Sequence, residues 1–317
     1  MVMQATGASH VERDGVIQSL WSGYGEIVRL KLQGAAIEQA VLKHVSPPSE
    51  VNHPRGWHSD LSHTRKLKSY VVEMHWYKAW SQRCSQACRV PECYAADTVH
   101  GESVMLLEDL DAAGFSLRKK HLSTADIHLC LKWLAHFHAT FLNEQPTGLW
   151  QVGTYWHLAT RPNEFAAMRD KQLQQAAPSI DNMLNRCQFQ TFVHGDAKVA
   201  NFCFSDDGKA VAAVDFQYVG GGCGIKDVAY FLGSCLSDEQ CSRQQDELLN
   251  VYFKTLREAL SNMNKTINID ALEKEWRGLY AVAWTDFYRF LQGWMPNHWK
   301  IHAYTRRLAA KTLKTST

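Results

Sequence analysis

The stretch His194-Gly-Asp-Ala-Lys-Val-Ala-Asn201, followed by Val214-Asp-Phe-Gln217, holds the residue types that phosphoryl transfer requires. That reaction needs a carboxylate to orient an attacking hydroxyl and accept its proton. It needs hard oxygen ligands for magnesium, and a cation to meet the charge on the transferred group. Asp196 can supply the base, Asn201 and Asp215 the oxygen ligands, and Lys198 the cation. Asp196 and Asn201 share one tight loop, so their side chains can converge. The hairpin from Phe202 to Val214 then returns the chain and sets Asp215 at a strand end. Pre-positioned charge is the main catalytic lever for this chemistry. Taken separately, His-Gly-Asp is a turn and Asp215 merely ends a strand. Both together, with a hairpin of suitable length between them, point to a working site.

Several elements must position these groups. Strand-like runs occupy Ile17–Trp21, Glu26–Leu32 and Ile37–Val45, separated by Gly23-Tyr-Gly25 and Gln33-Gly34. A polar stretch from Ser46 to His63, with Pro54, Gly56, His53 and His58, is expected to be an exposed loop. A helix is expected from Thr64 to Arg83 and a strand at Ser103–Leu107. Ser123 with Asp126 forms a capping-box pattern that opens a helix from Thr124 to Leu142. A further helix is expected at Ile180–Cys187. Strands at Phe202–Phe204 and Ala210–Val214 flank the hairpin signal Asp207-Gly208. Beyond Asp227 nearly everything has helical periodicity. The arrangement predicts an α+β, two-lobed chain: a small β-rich lobe over 1–107, a hinge over 108–112, and a larger helical lobe over 113–317.

Composition narrows the class. The chain has 317 residues, 45% of them hydrophobic, with 34 Lys and Arg against 32 Asp and Glu. This excludes general disorder and gives no electrostatic footprint for nucleic acid. No apolar run approaches a membrane span, and the first ten residues do not resemble a secretory signal. Nine scattered cysteines suit reduced thiols, so a cytoplasmic protein is expected. Cys84, Cys88 and Cys93 lack the paired spacing of a zinc site. His136 and His138, two apart on a helix, face different directions and cannot form a simple ligand pair. Oligomeric state is not legible.

The two catalytic segments resemble the core of the aminoglycoside phosphotransferase and choline kinase superfamily, whose members have a protein-kinase-like fold. Within it the chain is most similar to the ecdysteroid-kinase-like group, also called CHK kinase-like. The passages that carry this are Ser69-Tyr-Val-Val-Glu73 with Tyr77, Val104-Met-Leu-Leu-Glu-Asp-Leu110, and Val214-Asp-Phe-Gln217 followed by Gly224 and Asp227-Val-Ala-Tyr-Phe-Leu232. The resemblance implies ATP and Mg2+ as cofactors and a small-molecule alcohol as substrate. It implies Asp196 as base and Asn201 and Asp215 as metal ligands. Lys198 matches the lysine that protein kinases carry two residues after the base, a hypothesis for contact with the transferred phosphate. His194 and Asp227 would support the loop. Lys43 would hold the α- and β-phosphates, paired with Glu73, although a surface lysine on an edge strand is the plain alternative. Gly23 and Gly25 would cover the phosphates, yet a hairpin turn explains them equally well. Glu108 to Leu110 resembles the hinge, whose backbone would meet adenine while the side chains of Glu108 and Asp109 face solvent or cap it.

Two departures bear on the acceptor. Gln217 stands where many kinases carry glycine, and only eleven residues separate Asp215 from Asp227. That leaves no room for a long activation segment, which argues for a small-molecule kinase over a protein kinase. The run Gly220-Gly-Gly222 is expected to be a flexible turn. The acceptor, choline-, amino-sugar- or steroid-like, would sit near the helix Ala271–Gly293. Its aromatic stripe could cage a quaternary ammonium, wall a steroid, or simply pack the core. Trp284 and Asp286 are the acceptor-site candidates. A catalytically silent kinase-like binding module is the competing reading.

Overall fold

The computed structural model describes residues 1–20, 23–47 and 60–315. Trp21, His53, Pro54, Gly56 and His58 therefore lie outside the described residues. The strands are β1 (His10–Ser19), β2 (Gly25–Gln33), β3 (Gln39–Val45), β4 (Cys93–Val99), β5 (Glu102–Glu108), β6 (Thr191–Val193), β7 (Phe202–Phe204), β8 (Val211–Ala213) and β9 (Gly220–Gly222). The helices are α1 (Val2–Thr6), α2 (Asp60–Ala79), α3 (Thr124–Thr140), α4 (Pro162–Ala166), α5 (Lys171–Asn185), α6 (Ile225–Cys235), α7 (Asp238–Asn262), α8 (Ile269–Trp294) and α9 (Ala303–Thr315). The chain forms two compact units. The first comprises Met1–Ser85, Arg89–Arg118 and Cys203–Gln217; the second comprises Gln86–Cys88, Lys119–Phe202 and Tyr218–Thr317.

The first unit is built on a five-stranded antiparallel sheet in the order β1-β2-β3-β5-β4. Along β2 the alternate residues Val28, Leu30 and Leu32 are buried, as a half-buried strand requires. They form a core with Ala8, Ala40 and Leu106. Strand β1 starts at His10, seven residues before the apolar run begins, and is almost wholly exposed. Its polar side chains carry no strand signal; ladder hydrogen bonds to β2 define it. Strand β4 has no counterpart among the expected elements. Its sequence lacks alternation, and pairing with β5 across the turn at His100-Gly101 sets its conformation. Helix α2 begins four residues before Thr64 and ends at Ala79, with Ser81–Arg83 in a 3-10 turn.

The second unit is mostly helical. Ser123 and Asp126 form a reciprocal capping box at the start of α3. Helix α5 starts at Lys171, nine residues earlier than the apolar signal near Ile180. Leu173, Ala177, Ile180 and Leu184 nevertheless share its buried face, and Pro178 is accommodated inside it. The expected turn at Gly220–Gly222 is strand β9, paired with β6. A Cβ on Gly220 would lie 2.2 Å from the Trp150 carbonyl oxygen. Backbone crowding, not flexibility, accounts for the glycine run. The stripe along α8 is core: Leu272, Trp276, Tyr280, Ala283 and Phe290 are all buried. Among the described residues, no helix is long and apolar enough to cross a membrane.

Candidate active site

Within the first unit, Lys43, Glu73 and Asp215 form one group. Strand β3 is the middle strand of five, so Lys43 is no edge-strand lysine. It is 4% exposed and its ammonium lies 2.6 Å from Glu73 Oε2, with Glu73 1% exposed on α2. Tyr70, Glu73, Trp76 and Tyr77 follow helical spacing and turn the same face inward, which carries Glu73 to the sheet. Burial pushes the Glu73 carboxyl up, Lys43 opposes this, and the negative charge of Asp215 pushes it further up. Asp215 occupies the left-handed region at φ 68°, a conformation Asp tolerates better than most residues.

The segment after Asp215 is seated on α2. Phe216 stacks on Trp76, with ring centroids 4.6 Å apart, and meets Tyr77 edge-on. Gln217 accepts hydrogen bonds from Lys66 Nζ at 2.8 Å and Ser69 Oγ at 3.2 Å. A glycine there could make neither bond, so Gln217 ties the segment to the helix that carries Glu73.

Within the second unit, Asp196, Lys198 and Asn201 converge. Lys198 Nζ donates to Asp196 Oδ2 at 2.7 Å. The Asn201 amide nitrogen donates to the Asp196 backbone oxygen at 2.8 Å and to Oδ2 at 3.2 Å. The loop is pinned from behind by Asp227, near the start of α6. Its carboxylate accepts from the backbone N–H of His194 at 2.5 Å and of Gly195 at 3.0 Å. His138 lies 3.2 Å from the same carboxylate and 2.7 Å from the Tyr252 hydroxyl. His194 is fully buried, and its Nδ1 accepts from the Asp196 N–H at 3.2 Å. Gly195 has φ 80°, and a Cβ there would sit 2.1 Å from the Tyr218 carbonyl oxygen. Only glycine fits between the buried His194 and Asp196. Phe202 packs edge-on against Trp133 and Phe231, anchoring the far end of the loop.

Two residues of this unit were given no role by sequence reasoning. Tyr230 donates its hydroxyl to Asp196 Oδ1 at 2.9 Å. The signal was present: Asp227 and Tyr230 stand three apart on α6, so both point toward the loop. Lys300, between two conspicuous aromatics in sequence, is only 8% exposed. Its ammonium lies 4.6 Å from the Tyr230 ring centroid and 5.2 Å from that of Phe287. Burial lowers it to about 8, against an opposing pull from Asp196.

Other expected site residues have structural duties. Gly25 has φ 126°, and a Cβ would meet the His44 carbonyl, so contact with β3 accounts for it; Gly23, at φ 74°, lies in the open turn before β2. Glu108 and Asp109 do not face solvent. Glu108 pairs with Arg89, and Asp109, 3% exposed, pairs with Arg29. The Glu108 N–H donates to the Glu92 carbonyl and the Phe115 N–H donates to the Leu110 carbonyl. Asp286 is sealed: its carboxylate accepts from Trp156 Nε1 and Arg289, and it is 1% exposed. It is therefore a buried ion-pair partner and not an acceptor contact. Trp284 donates to Thr305 and lines a small, largely apolar cavity with Phe287, Tyr288 and Lys300.

Each unit by itself offers a hard oxygen donor of the kind magnesium prefers: in the second the Asn201 amide nitrogen is used inside the loop, which leaves its oxygen for another partner, and in the first Asp215 carries a carboxylate. Magnesium commonly takes one or two protein carboxylates and completes its shell with water and phosphate. Among the described residues, no group of three or more His, Cys, Asp or Glu side chains could hold a metal, and all nine cysteines are free thiols.

A family model described as the ecdysteroid kinase-like family matches residues 62–148 and 141–265. Among solved structures, an amicoumacin kinase in complex with AMP-PNP, Ca2+ and Ami is 14% identical, covering 99% of this chain and 91% of its own, with a TM-score of 0.55. A microcompartment-associated aminopropanol kinase is 15% identical, with 99% and 92% covered and a TM-score of 0.51. A choline kinase from Cryptosporidium parvum Iowa II is 9% identical, with 97% and 88% covered and a TM-score of 0.51. The chain shares the protein-kinase-like fold of these small-molecule kinases. No curated protein matches it.

Proposed function

This chain belongs to the ecdysteroid kinase-like family, and from that premise we propose that it is an ATP- and Mg2+-dependent kinase that phosphorylates a hydroxyl group of a small molecule. The observation that carries the reading is the environment of Asp196. A nearly buried carboxylate is held by Lys198, Asn201 and Tyr230 on a loop that Asp227 pins from behind. Such a group is fixed in position before substrate arrives, as general-base catalysis requires. Asp196 orients the acceptor hydroxyl and takes its proton. Lys198, paired with Asp196 and 40% exposed along its side chain, can swing to meet the transferred phosphoryl group. Lys43, oriented by Glu73, holds the nucleotide phosphates. Asn201 and Asp215 are the residues that would supply oxygen ligands for Mg2+, and the ion would contribute positive charge against the nucleotide phosphates.

The test is a magnesium–ATP turnover screen over choline, amino sugars, aminoglycosides, sterols and nucleosides, run with wild type and Asp196→Asn. Wild type should consume ATP with at least one alcohol class. Asp196→Asn should lose about 10²- to 10⁴-fold in turnover while still binding ATP. A wild type with no magnesium-dependent turnover, and a variant that binds nucleotide identically, would instead describe a silent binding module.

A further inference from the structure

In an aromatic pocket near a catalytic base, the usual expectation is a receptor for an alkylammonium, because ring faces attract cations. Here that position is already filled. Lys300 places its own ammonium over Tyr230, Phe287 and Trp299, at 4.6, 5.2 and 5.6 Å from the ring centroids. No ion pair joins it to a carboxylate among the described residues. A buried ammonium without a counter-charge is costly, and ring faces compensate it only in part. The pull of Asp196 offsets this only in part. Asp196 is already paired with Lys198 at 2.7 Å, and Asp286 with Arg289 at 2.9 Å. The surroundings of the base thus carry surplus positive charge. The Tyr230 hydroxyl touches Asp196 while its ring carries Lys300, so base and ammonium are one tyrosine apart. Lys300 also lines the small cavity with Trp284 and Phe287.

We propose that Lys300 sets the acceptor class: the alcohol bound beside Asp196 carries no ammonium group, and it presents an uncharged or anionic oxygen function to Lys300. This rests on the kinase reading and deepens it. An alkylammonium alcohol would have to displace Lys300 from the rings or lie against its like charge in a partly dehydrated site. A neutral or acidic alcohol instead gives the ammonium the hydrogen-bond partner that the protein withholds.

The test compares choline with its neutral tert-butyl isostere, which has the same shape without the charge, and adds glycerate as an anionic probe. Wild type should favour the isostere over choline in kcat/KM by about a hundredfold or more, given the cost of facing like charges. Lys300→Met should bring the ratio within about tenfold, and Lys300→Arg should keep it near wild type. Wild type that prefers choline, or a ratio that Lys300→Met leaves unmoved, overturns the proposal. If Lys300→Met does not fold, the wild-type ratio and Lys300→Arg decide. Should no alcohol be phosphorylated, the kinase reading fails separately. The inference is then judged by equilibrium binding of the same pair to wild type with AMP-PNP present. Tighter binding of the isostere supports it and tighter binding of choline refutes it.

Discussion

Removing one partner of the Lys43–Glu73 pair should expose how strongly the sheet and α2 depend on a buried charge. Both groups are almost inaccessible, at 4% and 1%, and 2.6 Å apart. In Glu73→Gln the lysine keeps its burial but loses its counter-charge. It can stay charged and unpaired, or it can shed a proton. Shedding a proton at pH 7 from a group that ordinarily titrates near 10.4 costs about 5 kcal/mol, which caps the penalty. In Lys43→Met the carboxyl can take up a proton instead, for about 4 kcal/mol at most, since glutamate titrates near 4.3. The actual penalty is smaller, because burial and Asp215 already raise Glu73 toward its neutral form. Glu73→Gln should therefore cost about 3–5 kcal/mol and Lys43→Met distinctly less. The double variant leaves no buried charge and should recover much of the loss, giving a coupling energy of about 1–3 kcal/mol. Urea unfolding of the four proteins measures the cycle, and the KM for ATP should rise in all three variants. Two single variants that each cost under about 1 kcal/mol, and whose effects simply add, would refute a buried and energetically coupled pair.

Other expectations follow from the same geometry. Gly195→Ala should displace the catalytic loop, since its Cβ would collide with the Tyr218 carbonyl; turnover should fall by at least about tenfold with ATP affinity nearly unchanged, as read by steady-state kinetics. Asp286→Ala should destabilise by about 3–5 kcal/mol, because it strands the guanidinium of Arg289, while acceptor preference in the surviving folded enzyme stays that of wild type. Alkaline stability carries a definite sign. Burial raises Cys93 and Cys203 to about 11 and Cys241 to about 12. Between the ordinary thiol range near 9 and those values, the unfolded chain binds fewer protons, so unfolding free energy should fall as pH rises. Lys300 acts in the opposite sense, losing its proton in the folded state first and gaining stability between about 8 and its ordinary 10.5. With the three thiols replaced by alanine, urea midpoints between pH 8.5 and 10.5 should show a shallower decline; an unchanged slope would contradict the assignment.

Local sequence determined the loop from His194 to Asn201, the Asp215 segment, the helix cap at Ser123 and the apolar stripe of α8, because each is written in neighbouring residues. The pairing of Lys43 with Glu73 was legible from residue type and from family resemblance, but its burial followed only once β3 proved to be the middle strand. Elements whose order depends on distant backbone were invisible. Strand β1 is polar, β4 has no alternation, and β9 is three glycines whose meaning lies in the Trp150 and Gln151 backbone beside them. Charged side chains were misjudged in the same way. Asp286 looked like a ligand contact, and Glu108 and Asp109 looked solvent-facing, until Arg289, Arg89 and Arg29 appeared as their partners. Lys300 is the clearest case. As one lysine among aromatics it carries no pattern, yet it is buried over the rings of Tyr230 and Phe287, and Tyr230 is itself hydrogen-bonded to Asp196. Periodicity reports which face of an element turns inward. Which charge it meets there depends on residues far away in the chain, and only tertiary packing brings them together.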